Sequence, residues 1–209
     1  AGRQQSVDAA VQSLDRAPSV LVNNAGMLRE HVLSKTTLAE WERTLDVNLR
    51  GTFLMCRAVA PRMRAAGFGR IVNLSSCYHD VAQGRQGRID FDDLHFERRR
   101  YDGWEAYAQS KLANLLHAKT LAKRLAPKGI VAVSVHPGWV RTNLIHNTIP
   151  TFVQDVLLRP ILRLQGMIEP WEGTQTSLYA LLAPEVEQES GAFYSQTGMY
   201  RDKTLNKGG

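Results

Sequence analysis

Tyr107 and Lys111 stand four residues apart in WEAYAQSKLANLLHAKTLAKRL, residues 104–125, a stretch that reads as a helix. On a helix that spacing puts the phenol and the ammonium on one face, roughly 5–6 Å apart at Cβ. Such a pair can move protons. A phenol with an ordinary pKa of about 10 is a poor acid–base group at neutral pH, and a neighbouring cation favours the phenolate and lowers that pKa. Lys111 is the expected source of the cation. The alternative is a half-buried helix tyrosine beside a solvated lysine, because a motif this small recurs by chance.

The elements that must position this pair can be read from periodicity. Residues 4–17 carry Val7, Ala10, Val11 and Leu14 at helical spacing, ending at Ala17-Pro18. SVLVNNAG (19–26) is an apolar run that closes on a loop, as a buried parallel strand does. From Thr37, with Glu40 completing a capping box, a long amphipathic helix runs through Leu45, Leu49, Phe53 and Val59 to Gly67. GRIVNLSS (69–76) and GIVAVSVHPG (129–138) are further buried strands, and 77–103 is a polar connection. The amphipathic stretch 148–168 is rich in large apolar residues, Trp171–Leu182 is another helix, and 191–200 is a last strand. Strands alternating with helices imply right-handed βαβ units and a parallel sheet in a single domain over 1–209.

Bulk properties narrow the function classes. A chain of 209 residues, 44% hydrophobic and 22% charged, suits one globular domain with a real core. The net charge of +6 permits attraction to nucleotide phosphates, but the basic residues are dispersed and no base-reading motif occurs, so a nucleic-acid partner is not expected. Cys56 and Cys77 are too few for a disulfide framework, no metal-ligand spacing is present, and no apolar run is long enough to span a bilayer. A cytoplasmic setting is the expectation.

Asn-Asn-Ala-Gly at 23–26, Asn48 inside the long helix, Ser75-Ser76 ending a strand, Tyr107-x-x-x-Lys111, and Pro137-Gly138 followed by Thr142 occur in the order and spacing of one family. Over nearly the whole chain they resemble the short-chain dehydrogenase/reductase family. The resemblance implies an α/β fold, a Rossmann-type doubly wound parallel sheet that binds NAD or NADP, and hydride transfer between nicotinamide and a carbonyl or alcohol carbon. It makes Tyr107 the proton donor or acceptor, and Lys111 the group that lowers its pKa and holds the nicotinamide ribose. Ser76 becomes the donor to the substrate oxygen, with Ser75 its competitor, and Asn48 the holder of a water linking Lys111 to solvent. Asn24, Ala25 and Gly26 are then expected along the cofactor ribose, and Pro137, Gly138, Val140 and Thr142 around the carboxamide. Cys77, Tyr78 and His79 are expected to line the substrate entrance.

The gap from Ser76 to Tyr107, SKLANLLHAKTLAKRL, HPGWVRTNL and the segment 172–196 are similar to the retinol dehydrogenase-like branch, whereas VLVNNAG through EWERTLDVNLRGTFL is closer to acyl carrier protein and hydroxysteroid reductases. The later segments form the substrate pocket in this family, so an apolar substrate (retinoid, steroid or lipid-like) is expected, with NADP slightly favoured over NAD. The two long helices offer a surface for a homo-oligomer. Residues 1–20 contain no T-G-x-x-x-G-x-G turn, so strands one to three of the fold are expected to be missing and the chain to be an N-terminally truncated piece that binds neither cofactor well alone. The competing reading is a non-catalytic, dehydrogenase-like interaction module.

Overall fold

The computed structural model describes residues 4–27, 38–82, 85–141, 159–196 and 205–207. Its centre is a five-stranded sheet in the order β1-β2-β5-β6-β7, built from Val20–Asn23, Gly69–Leu74, Ile130–His136, Phe193–Gln196 and Leu205–Lys207. The first four strands are parallel. The edge strand β7 runs antiparallel to β6, an element that periodicity in the sequence does not disclose. A separate two-stranded ribbon pairs β3 (Val81–Ala82) with β4 (Arg85–Gln86) inside the stretch expected to be only a connection.

Both faces of the sheet are covered, which makes it doubly wound. On one face, Val11 of α1 (Gln4–Gln12), Cys56, Val59 and Met63 of α3 (Gly51–Ala66), and Ala122 and Leu125 of α4 (Gly103–Leu125) pack on Leu21, Ile71, Ile130 and Ala132. On the other, Ala180 of α6 (Pro170–Leu182), with Val186, packs on Val72, Val133, Val135 and Tyr194. Strands buried on both faces are continuous apolar runs rather than alternating ones, which is why Ile71, Val72, Val133 and Val135 are all fully buried. Among the described residues nothing pairs with the outer edge of β1, and Val20 and Val22 on that strand are exposed.

The long helix expected from Thr37 to Gly67 is one rod with an internal defect. α2 (Leu38–Leu45) passes through a π-helical turn, Asp46–Arg50, into α3. A π-turn widens the helix and re-aims the residues inside it. The residue so placed here is Asn48, which is fully buried. α3 ends at Gly67 in the left-handed conformation (φ 69°), the usual terminator where a side chain would be strained. Among the described residues no helix is long and apolar enough to cross a membrane.

Candidate active site

The site lies at the carboxyl ends of β1, β2 and β5, where the loops of a doubly wound sheet converge. α4 is started by Asp102, whose carboxylate accepts from the backbone amides of Trp104 and Glu105 at 2.9 and 3.1 Å. That cap fixes the first turn of the helix, and Tyr107 and Lys111 follow on the face turned to the sheet. Lys111 Nζ lies 5.4 Å from the centroid of the Tyr107 ring and donates to the Leu74 carbonyl at 3.2 Å.

Electrostatics in this pocket are ruled by burial. Desolvation pushes the Tyr107 phenol up to about 12, against a smaller lowering by its hydrogen bond with Ser76, and Cys77 and Tyr78 add to the rise. The sequence leads one to expect a lowered phenol. Loss of water outweighs the neighbouring ammonium in the chain by itself, because a charged phenolate is poorly solvated there. Burial likewise pushes Lys111 down to about 8, so it is still charged at neutral pH. His136, at the end of β5, is pushed down to about 4 by burial first and then by the positive charges of His79 and Lys111.

Ser75 and Ser76 divide the work at the end of β2. Ser75 Oγ donates to the Lys111 carbonyl at 2.8 Å, and its amide donates to the Val135 carbonyl at 2.8 Å, so it bolts α4 and β5 to β2. Ser76 Oγ caps the 3-10 turn Cys77–His79 by accepting from the Tyr78 amide at 3.4 Å. Its own hydroxyl hydrogen is thereby left for donation towards Tyr107 or a substrate oxygen. Around the phenol stand Tyr78, edge-on at 5.9 Å, and Trp104, edge-on at 6.3 Å, with Tyr78 stacked on Trp104 at 5.1 Å. Cys77 is exposed beside them, and His79 packs edge-on against Phe193 at 4.5 Å.

Asn48 acts through both of its amide atoms. Oδ1 accepts from the Met27 amide at 2.7 Å and Nδ2 donates to the Met27 carbonyl at 2.8 Å, which clamps the exposed loop Asn24–Ala25–Gly26 at its far end. The Asn48 carbonyl accepts from Asn114 Nδ2 at 3.1 Å and Thr52 Oγ1 at 3.4 Å. A Cβ at Gly26 would sit 3.6 Å from Asn48 Oδ1 and 3.9 Å from Lys111 Nζ, so the loop passes directly over the lysine.

After β5, Pro137 and Gly138 (φ 96°) turn the chain and Val140 bridges to Ile168. Arg141 fastens this loop to the start of α6: Nε and Nη2 donate to Glu169 Oε2 at 3.1 and 2.9 Å. Gly173 of α6 makes the approach possible, since a Cβ there would come within 2.4 Å of Val140 Cγ2. Thr142 and residues 148–158 of the amphipathic stretch lie outside the described residues; the remainder of that stretch contains α5 (Arg159–Leu164).

Sequence reasoning missed a set of buried asparagines. Asn23 Nδ2 donates to Asn73 Oδ1 at 2.9 Å, Asn73 Nδ2 to the Asn114 carbonyl at 3.2 Å, and Asn114 Nδ2 to the Asn48 carbonyl, while Asn48 grips Met27 just beyond β1. The circuit closes on the segment where it began and ties together β1, β2, α4 and the π-turn. The available signal was helical spacing: Asn114 is three residues after Lys111, on the same face.

Comparison with known proteins places the chain among relatives of one family. A sequence model of the family described as short chain dehydrogenase matches residues 2–90. Retinol dehydrogenase 12 of Bos taurus is 38% identical over 176 residues, covering 84% of this chain and 52% of that protein. Retinol dehydrogenase 13 of Homo sapiens is 38% identical over 180 residues, covering 84% and 51%. The chain thus spans about half the length of the curated relatives it matches. Among solved structures, a gluconate 5-dehydrogenase from Burkholderia cenocepacia J2315 in complex with NADP and tartrate superposes with TM-score 0.69 at 24% identity, over 93% of this chain and 70% of that one. An NADPH-bound carbonyl reductase from chicken fatty liver gives TM-score 0.65 at 22% identity, over 93% and 71%. These two likenesses concern the fold.

Proposed function

From the membership of this chain in the short-chain dehydrogenase/reductase family, in its retinol dehydrogenase-like branch, we propose that it carries the proton-transfer machinery of an NAD(P)-dependent oxidoreductase acting on an apolar carbonyl/alcohol pair. The observation that carries the reading is the grouping of Ser76, at the end of β2, with Tyr107 and Lys111 of α4: Ser76 borders the Tyr107 phenol, and the Lys111 ammonium lies 5.4 Å from the Tyr107 ring. The retinoid or lipid-like character of the substrate rests on the names of the relatives and on the aromatic side chains of Tyr78 and Trp104 beside the phenol.

The residues fit a nicotinamide cofactor. Lys111 Nζ has three hydrogens and, among the described residues, one hydrogen-bond acceptor, the Leu74 carbonyl, so two donors remain for ribose hydroxyls beneath the Gly26 loop. Asn24, Ala25 and Gly26 would lie along that ribose, and Pro137, Gly138, Val140 and Thr142 beside the carboxamide. NAD or NADP supplies the hydride when bound.

The chain's own groups do the rest. Ser76 Oγ–H and Tyr107 Oη–H converge as donors on the carbonyl oxygen and hold it where negative charge develops. Tyr107 then gives up its proton to the nascent alkoxide; in the oxidation direction it takes that proton back. Lys111 stabilises the phenolate left behind. Tyr78 and Trp104 keep water from the phenol, which strengthens each of these interactions.

A panel of apolar and charged aldehydes, ketones and alcohols, assayed with both cofactors in the complete protein that carries this sequence, tests the reading. Turnover of long apolar members, abolished by Tyr107→Phe, is the expected result. Turnover confined to small charged substrates would reject the substrate class, and full activity in Tyr107→Phe would reject the mechanism.

A further inference from the structure

We infer that Asn114 is a positioning residue for Lys111, holding with one side-chain amide both the Leu74 carbonyl to which the lysine donates and the Asn48 carbonyl beside the cofactor loop. The inference rests on the reading of Lys111 as the partner of Tyr107. Three observations carry it.

The Leu74 carbonyl receives two donors, Lys111 Nζ at 3.2 Å and Asn114 Nδ2 at 3.2 Å, so the lysine and the asparagine share one acceptor. The Asn48 carbonyl also receives two, Asn114 Nδ2 at 3.1 Å and Thr52 Oγ1 at 3.4 Å. Asn114 Nδ2 thereby links the Asn48 carbonyl directly to the atom that holds Lys111. Finally, Asn114 is buried, at 2% exposure, and its Oδ1 has no hydrogen-bond partner among the described residues. An unmet buried acceptor is costly, and an apolar residue of similar size would fill the space without that cost. What the asparagine contributes is therefore its donor side.

The titratable groups that face this arrangement are Tyr107 on the same helix and His136 at the end of β5, whose own charge is disfavoured by Lys111. His117 of α4 sits near the circuit through Asn73, at 3.5 Å. A carbonyl that already accepts from an amide is a weaker partner for an ammonium, so Asn114 loosens the grip of Lys111 on its proton. Removing the amide returns the whole Leu74 carbonyl to the lysine and makes the ammonium harder to deprotonate.

The test is a titration of Lys111 by NMR in the 209-residue chain, labelled with carbon-13 and nitrogen-15 at lysine, as wild type, Asn114→Ala and Asn114→Ser. The serine variant keeps a small polar group and serves if the alanine variant does not fold. Asn73→Ala is the control, since it damages the same buried circuit without freeing the Leu74 carbonyl. The expected result is a rise of about threefold or more in the proton affinity of Lys111 in the Asn114 variants and none in Asn73→Ala. An unchanged Lys111 in the Asn114 variants, or an equal rise in Asn73→Ala, overturns the inference. The titration needs no turnover: a shifted Lys111 in a protein without dehydrogenase activity supports the role of Asn114 and rejects the proposed function instead.

Discussion

Ser75 and Ser76 are neighbours in sequence and face different structures: Ser75 Oγ is spent on the Lys111 carbonyl at 2.8 Å, while Ser76 Oγ meets the Tyr78 amide at 3.4 Å and the Tyr107 phenol. The two alanine substitutions should therefore separate stability from chemistry. Ser75→Ala removes a buried hydrogen bond that ties α4 to β2 and should lower stability by about 0.5–1.5 kcal/mol. Ser76→Ala should lower kcat by about 10²–10³-fold, the usual cost of one donor to a developing oxyanion, with a small change in Tm. Thermal melts and steady-state kinetics on both variants check the division.

Tyr107→Phe removes one oxygen from a ring held edge-on by Tyr78 and Trp104, so the packing survives. Turnover should fall by about 10²–10⁴-fold with cofactor affinity little changed. Comparing kcat with the cofactor dissociation constant distinguishes this from a general loss of structure.

The buried lysine has a signature in stability against pH. Lys111 releases its proton near pH 8 when folded and near 10.5 when unfolded, so between those values the unfolded chain binds the extra proton. Folding stability gained from this group therefore rises with pH from about 8 upwards. Tyr107 works the opposite way only above its ordinary value of 10. Denaturant midpoints of wild type relative to Lys111→Met should increase between about pH 8 and 10; a flat difference would mean that Lys111 is not desolvated.

The two cysteines should differ sharply in reactivity. Cys56 is buried, accepts from Asn23 Nδ2 at 3.2 Å, and its thiol is pushed up to about 12, chiefly by burial. Cys77 is exposed and adjoins Ser76. A thiol reagent should label one cysteine per native chain and two after unfolding, since the thiolate is the reactive form. Peptide mapping should place the native label on Cys77.

The reactive pair is legible in the sequence because its geometry is local: a spacing of four on a helix determines a shared face whatever surrounds it. Buried strands are legible for a similar reason, since Ile71, Val72, Val133 and Val135 belong to unbroken apolar runs. Asn114 and Asn73 are not, because a buried asparagine in a polar circuit has the same letter as an exposed one, and its partners are 66 and 41 residues away in the chain. The stretch 77–103 likewise reads as polar connection. Its order comes from Asp93, which accepts from the backbone amides of Glu97, Arg98 and Arg99, and from Arg99, which covers the Phe96 ring at 4.0 Å and pairs with Asp90 at 3.4 Å. The direction of the Tyr107 shift is hidden for the same reason: desolvation depends on packing density, which spacing does not encode.

The asparagine circuit also bears on the order in which the chain folds. Its links span 50, 41, 66 and 21 residues, and none of them lies within one helix or one hairpin. Contacts of such separation form only after the elements they join have met, so the circuit closes late on the folding route. Substitutions in it should leave the refolding rate nearly unchanged and quicken unfolding, giving φ-values near zero. The pocket would then be the last part of this chain to assemble and the first to open, so its lifetime is set by the unfolding rate.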